Sequence, residues 1–137
     1  MRRVEALVTG SVPKDWMERL RSFSESNGCS AVLVNADIVE GTVHIESAVE
    51  HAERAFSAGC NRSRDLEVET ILYLTGKRRI ERALEMSAPG ERNVVVVIDG
   101  SAEEAIGTLG LEGGTLPRTT ERTYDALERT ALLDLEK

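Results

Sequence analysis

The run "NVVVVIDG" (residues 93–100) constrains this chain more than any other stretch. Four valines and an isoleucine in succession leave no polar face, which predicts a central strand buried on both sides. Such a strand needs neighbours. Two other short, mostly apolar runs predict them: "VEALVT", ended by Gly10, and "SAVLVN". Between these two, "SVPKDWMERLRSFSESNG" predicts a helix. Ser11 can cap it, Pro13 suits its first turn, Trp16, Leu20 and Phe23 recur at helical spacing, and Asn27-Gly28 supplies the stop.

"ADIVEGTVHI" reads as a turn with a short strand. A helix is predicted from about residue 46 to 58, because Ile45, Ala48, Val49, Ala52, Ala55 and Phe56 share one arc at about 100° per residue. Gly59 ends it. Two short helices are predicted over about residues 66–74 and 77–86, joined at Thr75-Gly76. After the valine strand, Ser101 with Glu103 and Glu104 marks a short capped helix. The last helix is expected from Thr119 to about Leu133. The order β-α-β-(α-α-α)-β-α-α predicts an α/β fold, a small mixed or antiparallel sheet packed with helices, as a single compact domain over residues 1–137.

The chain is long enough, at 137 residues and 41% hydrophobic, to bury one core without disulfides or metal. Aromatic residues make up only 4%, so that core must be aliphatic and base-stacking surfaces are scarce. A net charge of −7 opposes broad attraction to nucleic acid or anionic membrane but leaves room for a local basic patch. No apolar run approaches the roughly 20 residues that span a bilayer. Glu5 interrupts the N-terminal apolar stretch, making a poor signal peptide. The expected location is the cytoplasm, where Cys29 and Cys60 would be reduced thiols filling small apolar gaps.

Signatures of catalysis are weak. His44 and His51 stand seven apart with no third ligand at metal spacing, and read as surface or capping residues. "TGSVPK" lacks the second glycine and the Lys-Ser/Thr ending of a phosphate loop. "GTLGLEGG" follows a helix, the wrong context for a dinucleotide fingerprint, and there is no G-x-S-x-G elbow. A binding or regulatory module is expected: no enzyme, no cofactor, no metal.

Charge is segregated along the chain. From Arg54 to Arg82 seven basic residues (Arg54, Arg62, Arg64, Lys77, Arg78, Arg79, Arg82) face four acidic ones, a net of +3. The remainder carries ten basic and twenty acidic residues, a net of −10. If a helix begins at Lys77, then at about 100° per residue Arg78, Arg79 and Arg82 share an outward face and Ile80, Ala83 and Leu84 face the core. Cations in a first turn oppose the helix dipole at a cost of a few tenths to about 1 kcal/mol. A bound phosphate would relieve that cost through free N–H groups and guanidinium forks. Neutralisation by Glu81, Glu85 and neighbouring acids is the alternative. A DNA-reading helix-turn-helix is disfavoured by the flanking strands, and DNA is not an expected partner.

These residues also resemble a known family. "HIESAVEHAERAF", "NRSRDLEVETILYLTGKRRIERAL" and "NVVVVIDG" are similar to the PRPK-binding-protein family, the small regulatory subunit of the KEOPS complex, in its archaeal form. The pattern comprises Ser47, His51 and Ala55, the basic connector with Arg62 and Arg64, then Glu69, Tyr73, Leu74, Gly76, Lys77 and Arg78, followed by Ile80 and Ala83. Thr75 stands where the family is expected to have Ser, and Arg79 where Gln is common.

The resemblance implies a non-catalytic subunit of the machinery that makes threonylcarbamoyladenosine in tRNA. It would dock on a small kinase-like ATPase subunit and bind the single-stranded 3′ CCA end of tRNA. The RNA-binding residues would be Arg62, Arg64, Tyr73, Lys77, Arg78, Arg79 and Arg82. Tyr73 or an arginine plane would stack on a base, with packing of Tyr73 between helices, its hydroxyl at the surface, as the other reading.

On the last helix Tyr124, Leu127 and Ala131 are spaced i, i+3, i+7, with Leu132 and Leu135 beside them. Either this face packs on the protein's own sheet, or Tyr124, Leu127, Ala131 and Leu132 meet the kinase-like partner. Two competing functions stay open: a protein-bridging or regulatory subunit that never touches RNA, and a regulator that binds small phosphates.

Overall fold

The computed structural model describes residues 3–135. In chain order the elements are β1 (Val4–Thr9), α1 (Trp16–Asn27), β2 (Ser30–Asn35), α2 (Thr42–Ala58), α3 (Leu66–Thr75), α4 (Ile80–Ser87), β3 (Asn93–Ile98), α5 (Ala102–Thr108) and α6 (Thr123–Leu135). They divide into two compact units. One runs up to Asp37 and resumes over Pro89–Leu116; the other comprises Ile38–Ala88 and the chain from Pro117 onward. No helix among the described residues is long and apolar enough to cross a membrane.

The first unit is built on the valine strand. All six residues of β3 are buried, and β3 lies between β1 and β2, antiparallel to both. Val95 stands opposite Leu7 on one side and Leu33 on the other. On this face Leu33, Val95 and Val97 pack against Leu20 and Phe23 of α1 and Ala102, Ala105 and Ile106 of α5, with Trp16 at the margin. Burying one valine stabilises by roughly 1.5 kcal/mol or more, so a strand of valines secures its position without aromatic residues. The sheet is therefore the small antiparallel one expected, with its central strand where the sequence places it.

Helix starts follow local chemistry less closely. Ser101 caps α5 as expected, its Oγ accepting the Glu104 N–H at 3.2 Å. Helix α1 begins at Trp16, past Ser11 and Pro13. The Trp16 N–H turns back to the Pro13 carbonyl at 3.2 Å. Asp15 takes the cap position but uses its carboxylate on Arg19 at 2.9 Å instead of a first-turn N–H.

At the other end of β3, Asn93 is fully buried. Its Oδ1 accepts the Gly90 N–H, and its Nδ2 donates to the Gly10 and Gly90 carbonyls, each at 2.9 Å. One side chain thus satisfies backbone groups of two loops at the end of the sheet.

The second unit is all helical. Helix α2 starts at Thr42, earlier than expected, because the Thr42 and Val43 N–H groups find the carbonyls of Pro117 and Arg118 at 2.9 and 3.1 Å. Gly41, with φ of 95°, permits that approach; a Cβ there would lie 2.4 Å from the Arg118 oxygen. "ADIVEGTVHI" accordingly holds a 3-10 turn (Ala36–Ile38) and a helix start, not a strand. Helix α6 begins at Thr123, four residues later than expected. The Thr123 Oγ1 accepts the Thr120 N–H and donates to the Glu40 carbonyl, both at 2.7 Å, which fixes the preceding turn.

Helices α2, α3 and α6 pack on one another, and the expected arc of α2 is buried from Ile45 to Ala55, with Phe56 at its edge. Cys29 is half-buried, but Cys60 is exposed after the end of α2 and fills no gap.

Replacing Asn93 by Leu strands three backbone groups without partners, at about 1 kcal/mol each. Urea unfolding of Asn93→Leu should show a loss of about 2–4 kcal/mol; a loss below 1 kcal/mol would mean that water replaces the amide there.

Candidate nucleic-acid interface and docking helix

Helix α3 organises the candidate site, because the expected cations lie beyond its two ends. At its start the connector folds over Glu69, which is fully buried. Glu69 Oε1 accepts the N–H groups of Arg62 and Ser63 at 3.0 and 2.8 Å. Asn61 Nδ2 donates to the Ser63 carbonyl at 2.8 Å, and the Asp65 N–H to Ser63 Oγ at 3.2 Å. Arg62 is half-buried with its Nη1 enclosed, so the interior takes up part of that guanidinium. Arg64 is exposed.

In the last turn of α3, Tyr73 is fully buried. Its hydroxyl donates to Asp134 Oδ1 at 2.5 Å, and the other oxygen of Asp134 meets His51 Nδ1 at 2.5 Å. The His51 and Tyr73 rings lie 5.4 Å apart. Burial, then the bond to Asp134, pushes the phenol well above its ordinary pKa, so it stays a donor. Tyr73 as a base-stacking surface is therefore overturned: its ring packs between helices and its hydroxyl ends on a carboxylate. The signal lay in "TILYLT", apolar on all sides as a buried helix should be.

The two histidines are likewise not surface residues. His51 is half-buried on Asp134, and His44 is fully enclosed in the first turns of α2.

The far end of α3 closes at Gly76, φ 69°, whose N–H and that of Lys77 both reach the Leu72 carbonyl. This left-handed turn suits glycine. Lys77, Arg78 and Arg79 follow as an exposed turn, and α4 starts only at Ile80 with Arg79 in the cap position. The expected arginine face of a helix is thus corrected, because the turn consumes the three residues. Of the four cations here only Arg82 is helical.

Ile80 and Leu84 are 37% and 43% exposed, not core as expected, because α4 packs mainly on α3 through Ala83 and Ser87. Lys77, Arg79 and Arg82 are ion-paired with no described residue, so Glu81 and Glu85 do not neutralise them directly. Arg62 and Arg64 sit at the opposite end of α3, about 15 Å away along a ten-residue helix. The structure brings Lys77, Arg78, Arg79 and Arg82 together and leaves Arg62 and Arg64 apart.

Helix α6 supplies a second surface. Thr123, Ala126, Thr130 and Leu133 are buried, and Thr130 Oγ1 donates to the Tyr73 carbonyl at 2.7 Å. The residues expected to meet a partner lie mostly on the other side. Tyr124 is 77% and Leu132 48% exposed, Ala131 is exposed, and Leu127 is half-buried. Leu135, 79% exposed, extends the same stripe.

A helical unit that turns one basic corner and one apolar stripe outward defines a binding module. The family model for kinase binding protein CGI-121 matches residues 11–123, and the chain belongs to that family, the family of the PRPK-binding KEOPS subunit. It is a kinase-binding protein family. No curated protein matches the chain.

His44 makes this unit acid-sensitive. Its Nδ1 accepts the Glu40 N–H at 3.0 Å and its Nε2 is enclosed without a hydrogen bond. Burial first, then the charge of Arg129, lowers its pKa from 6.5 to about 4, against smaller opposing effects of the Leu74 carbonyl and Glu40. Above pH 6.5 the ring is neutral in both states. Below it the unfolded chain gains a proton that the folded ring refuses until about pH 4. Stability should therefore fall by roughly 3 kcal/mol across that window and level off below it. Denaturant unfolding at stepped pH checks this: His44→Leu should be less stable at neutral pH but flatter, and an unchanged slope would place the sensitivity elsewhere.

Proposed function

We propose that this chain is a non-catalytic accessory subunit of the KEOPS complex, serving threonylcarbamoyladenosine synthesis in tRNA, as in the archaeal form of the family. It grips the tRNA 3′ CCA end at the α3–α4 corner and docks on the kinase-like ATPase subunit through α6. One observation carries the RNA reading. In a chain of net charge −7, three cations fill one exposed turn and a fourth, Arg82, follows in the first turn of α4, and Lys77, Arg79 and Arg82 have no acidic partner among the described residues.

The chemistry of that corner suits phosphate. Arg79 caps α4 without offering a side-chain acceptor, so the first-turn N–H groups are available to an anion beside the guanidinium forks. With Tyr73 enclosed, stacking on the terminal bases falls to guanidinium planes. A patch this small gives weak, salt-sensitive binding alone and gains strength from the other contacts of an assembly. The exposed stripe of Tyr124, Ala131, Leu132 and Leu135 supports kinase docking by a helix laid into a groove. The protein-bridging alternative without RNA rests on this stripe alone.

Binding of tRNA with an intact or trimmed CCA end, at low and moderate salt, tests the reading. Trimming, or Lys77→Glu with Arg78→Glu, should weaken binding at least tenfold while leaving the kinase-like subunit bound. Leu132→Glu with Leu135→Glu should do the reverse, with thermal unfolding unchanged. Equal binding of intact and trimmed tRNA would sink the CCA assignment. Absence of any tRNA binding would favour the bridging subunit.

A further inference from the structure

We propose that Arg129 of α6 is a fifth cation of the RNA-binding corner, an inference that rests on the RNA reading above. A Cβ placed on Gly76 would come 3.1 Å from the Cβ of Arg129. The arginine side chain therefore leaves α6 against the turn that leads directly into Lys77. Fifty-one positions separate Arg129 from Arg78 in the sequence, yet the helix packing sets the two segments together. Arg129 is exposed and is ion-paired with no described residue.

Its placement is rigid. The next residue, Thr130, donates from Oγ1 to the Tyr73 carbonyl at 2.7 Å, and Asp134, one turn further, accepts the Tyr73 hydroxyl at 2.5 Å. Two consecutive turns of α6 are thus fastened to the end of α3, and the backbone at Arg129 cannot drift from the Lys77 turn. The same charge reaches inward, where it opposes protonation of His44.

Five cations gathered with few acidic partners repel one another, and a polyanion relieves that repulsion. Around α6, at roughly 100° per residue, Arg129 stands about 140° from the centre of the stripe of Tyr124, Ala131 and Leu135 and about 60° from Leu132. An RNA end on Arg129 and a protein centred on Tyr124, Ala131 and Leu135 therefore approach α6 from different sides, with Leu132 between them.

A purely structural Arg129 would shield the Gly76 turn with its aliphatic stem, so the test must separate charge from stem. The full chain carrying Arg129→Gln keeps most of the stem and loses the charge. Its tRNA affinity at low salt should fall severalfold, and the slope of log affinity against log salt should shrink by about 0.7–0.9, the loss of one phosphate contact. Arg129→Lys should retain the slope, and both variants should bind the kinase-like subunit as before. Wild-type affinity and slope in Arg129→Gln, while Lys77→Glu with Arg78→Glu abolishes binding, would overturn the role of Arg129 and leave the corner intact. If the Lys77 and Arg78 reversal changes nothing either, the RNA reading itself fails and this assignment with it. A lower melting temperature with an unchanged slope would also overturn it, in favour of the stem.

Discussion

One carboxylate holds the helical unit in its arrangement. Asp134 takes the Tyr73 hydroxyl on one oxygen and His51 Nδ1 on the other, so α6 is tied to α3 and α2 at a single point. A tyrosine buried as completely as Tyr73 would be costly with its hydroxyl unpaired. The partner must come from a neighbouring helix, because the whole body of α3 from Glu69 to Thr75 is enclosed. Thr130 adds a bond to the Tyr73 carbonyl, and together these fix the rotation of α6. With Thr130 and Leu133 turned inward, Tyr124, Ala131 and Leu135 have to face out.

The two ends of α3 illustrate how a buried helix shapes the surface beyond it. At its start an enclosed carboxylate, Glu69, collects two backbone N–H groups and folds the connector down, drawing Arg62 inward. At its end a left-handed glycine turns the chain out and strings three cations into solvent. The charged segment is one in sequence and two in space, and the divider is an apolar helix. The corner gains from this arrangement, since a cation on an enclosed loop could not reach a polyanion.

Much of this fold is legible in the sequence. The three strands, the central place of β3 and the glycine stops at Gly28, Gly59 and Gly76 follow from local apolar runs and left-handed caps. Helix starts are less legible where distant groups set them: α2 is capped by carbonyls of Pro117 and Arg118, and α6 is held by the Glu40 carbonyl. The basic corner is visible as a segment, but its helical geometry is not, because Gly76 and the extended turn after it displace the start of α4. Burial of Tyr73 and proximity of Arg129 depend on how α6 packs, which no local pattern encodes.

The scarcity of aromatic residues has an optical consequence. The only tryptophan, Trp16, lies against the sheet core of the first unit, while both tyrosines, Tyr73 and Tyr124, belong to the helical one. Selective excitation of the indole thus reports on the sheet unit alone, and phenol absorbance on the helices alone. The phenols differ too, since one is sealed against a carboxylate and the other is open to solvent. An unlabelled sample therefore carries separate spectroscopic signals for the loss of each unit and for contact at the Tyr124 stripe.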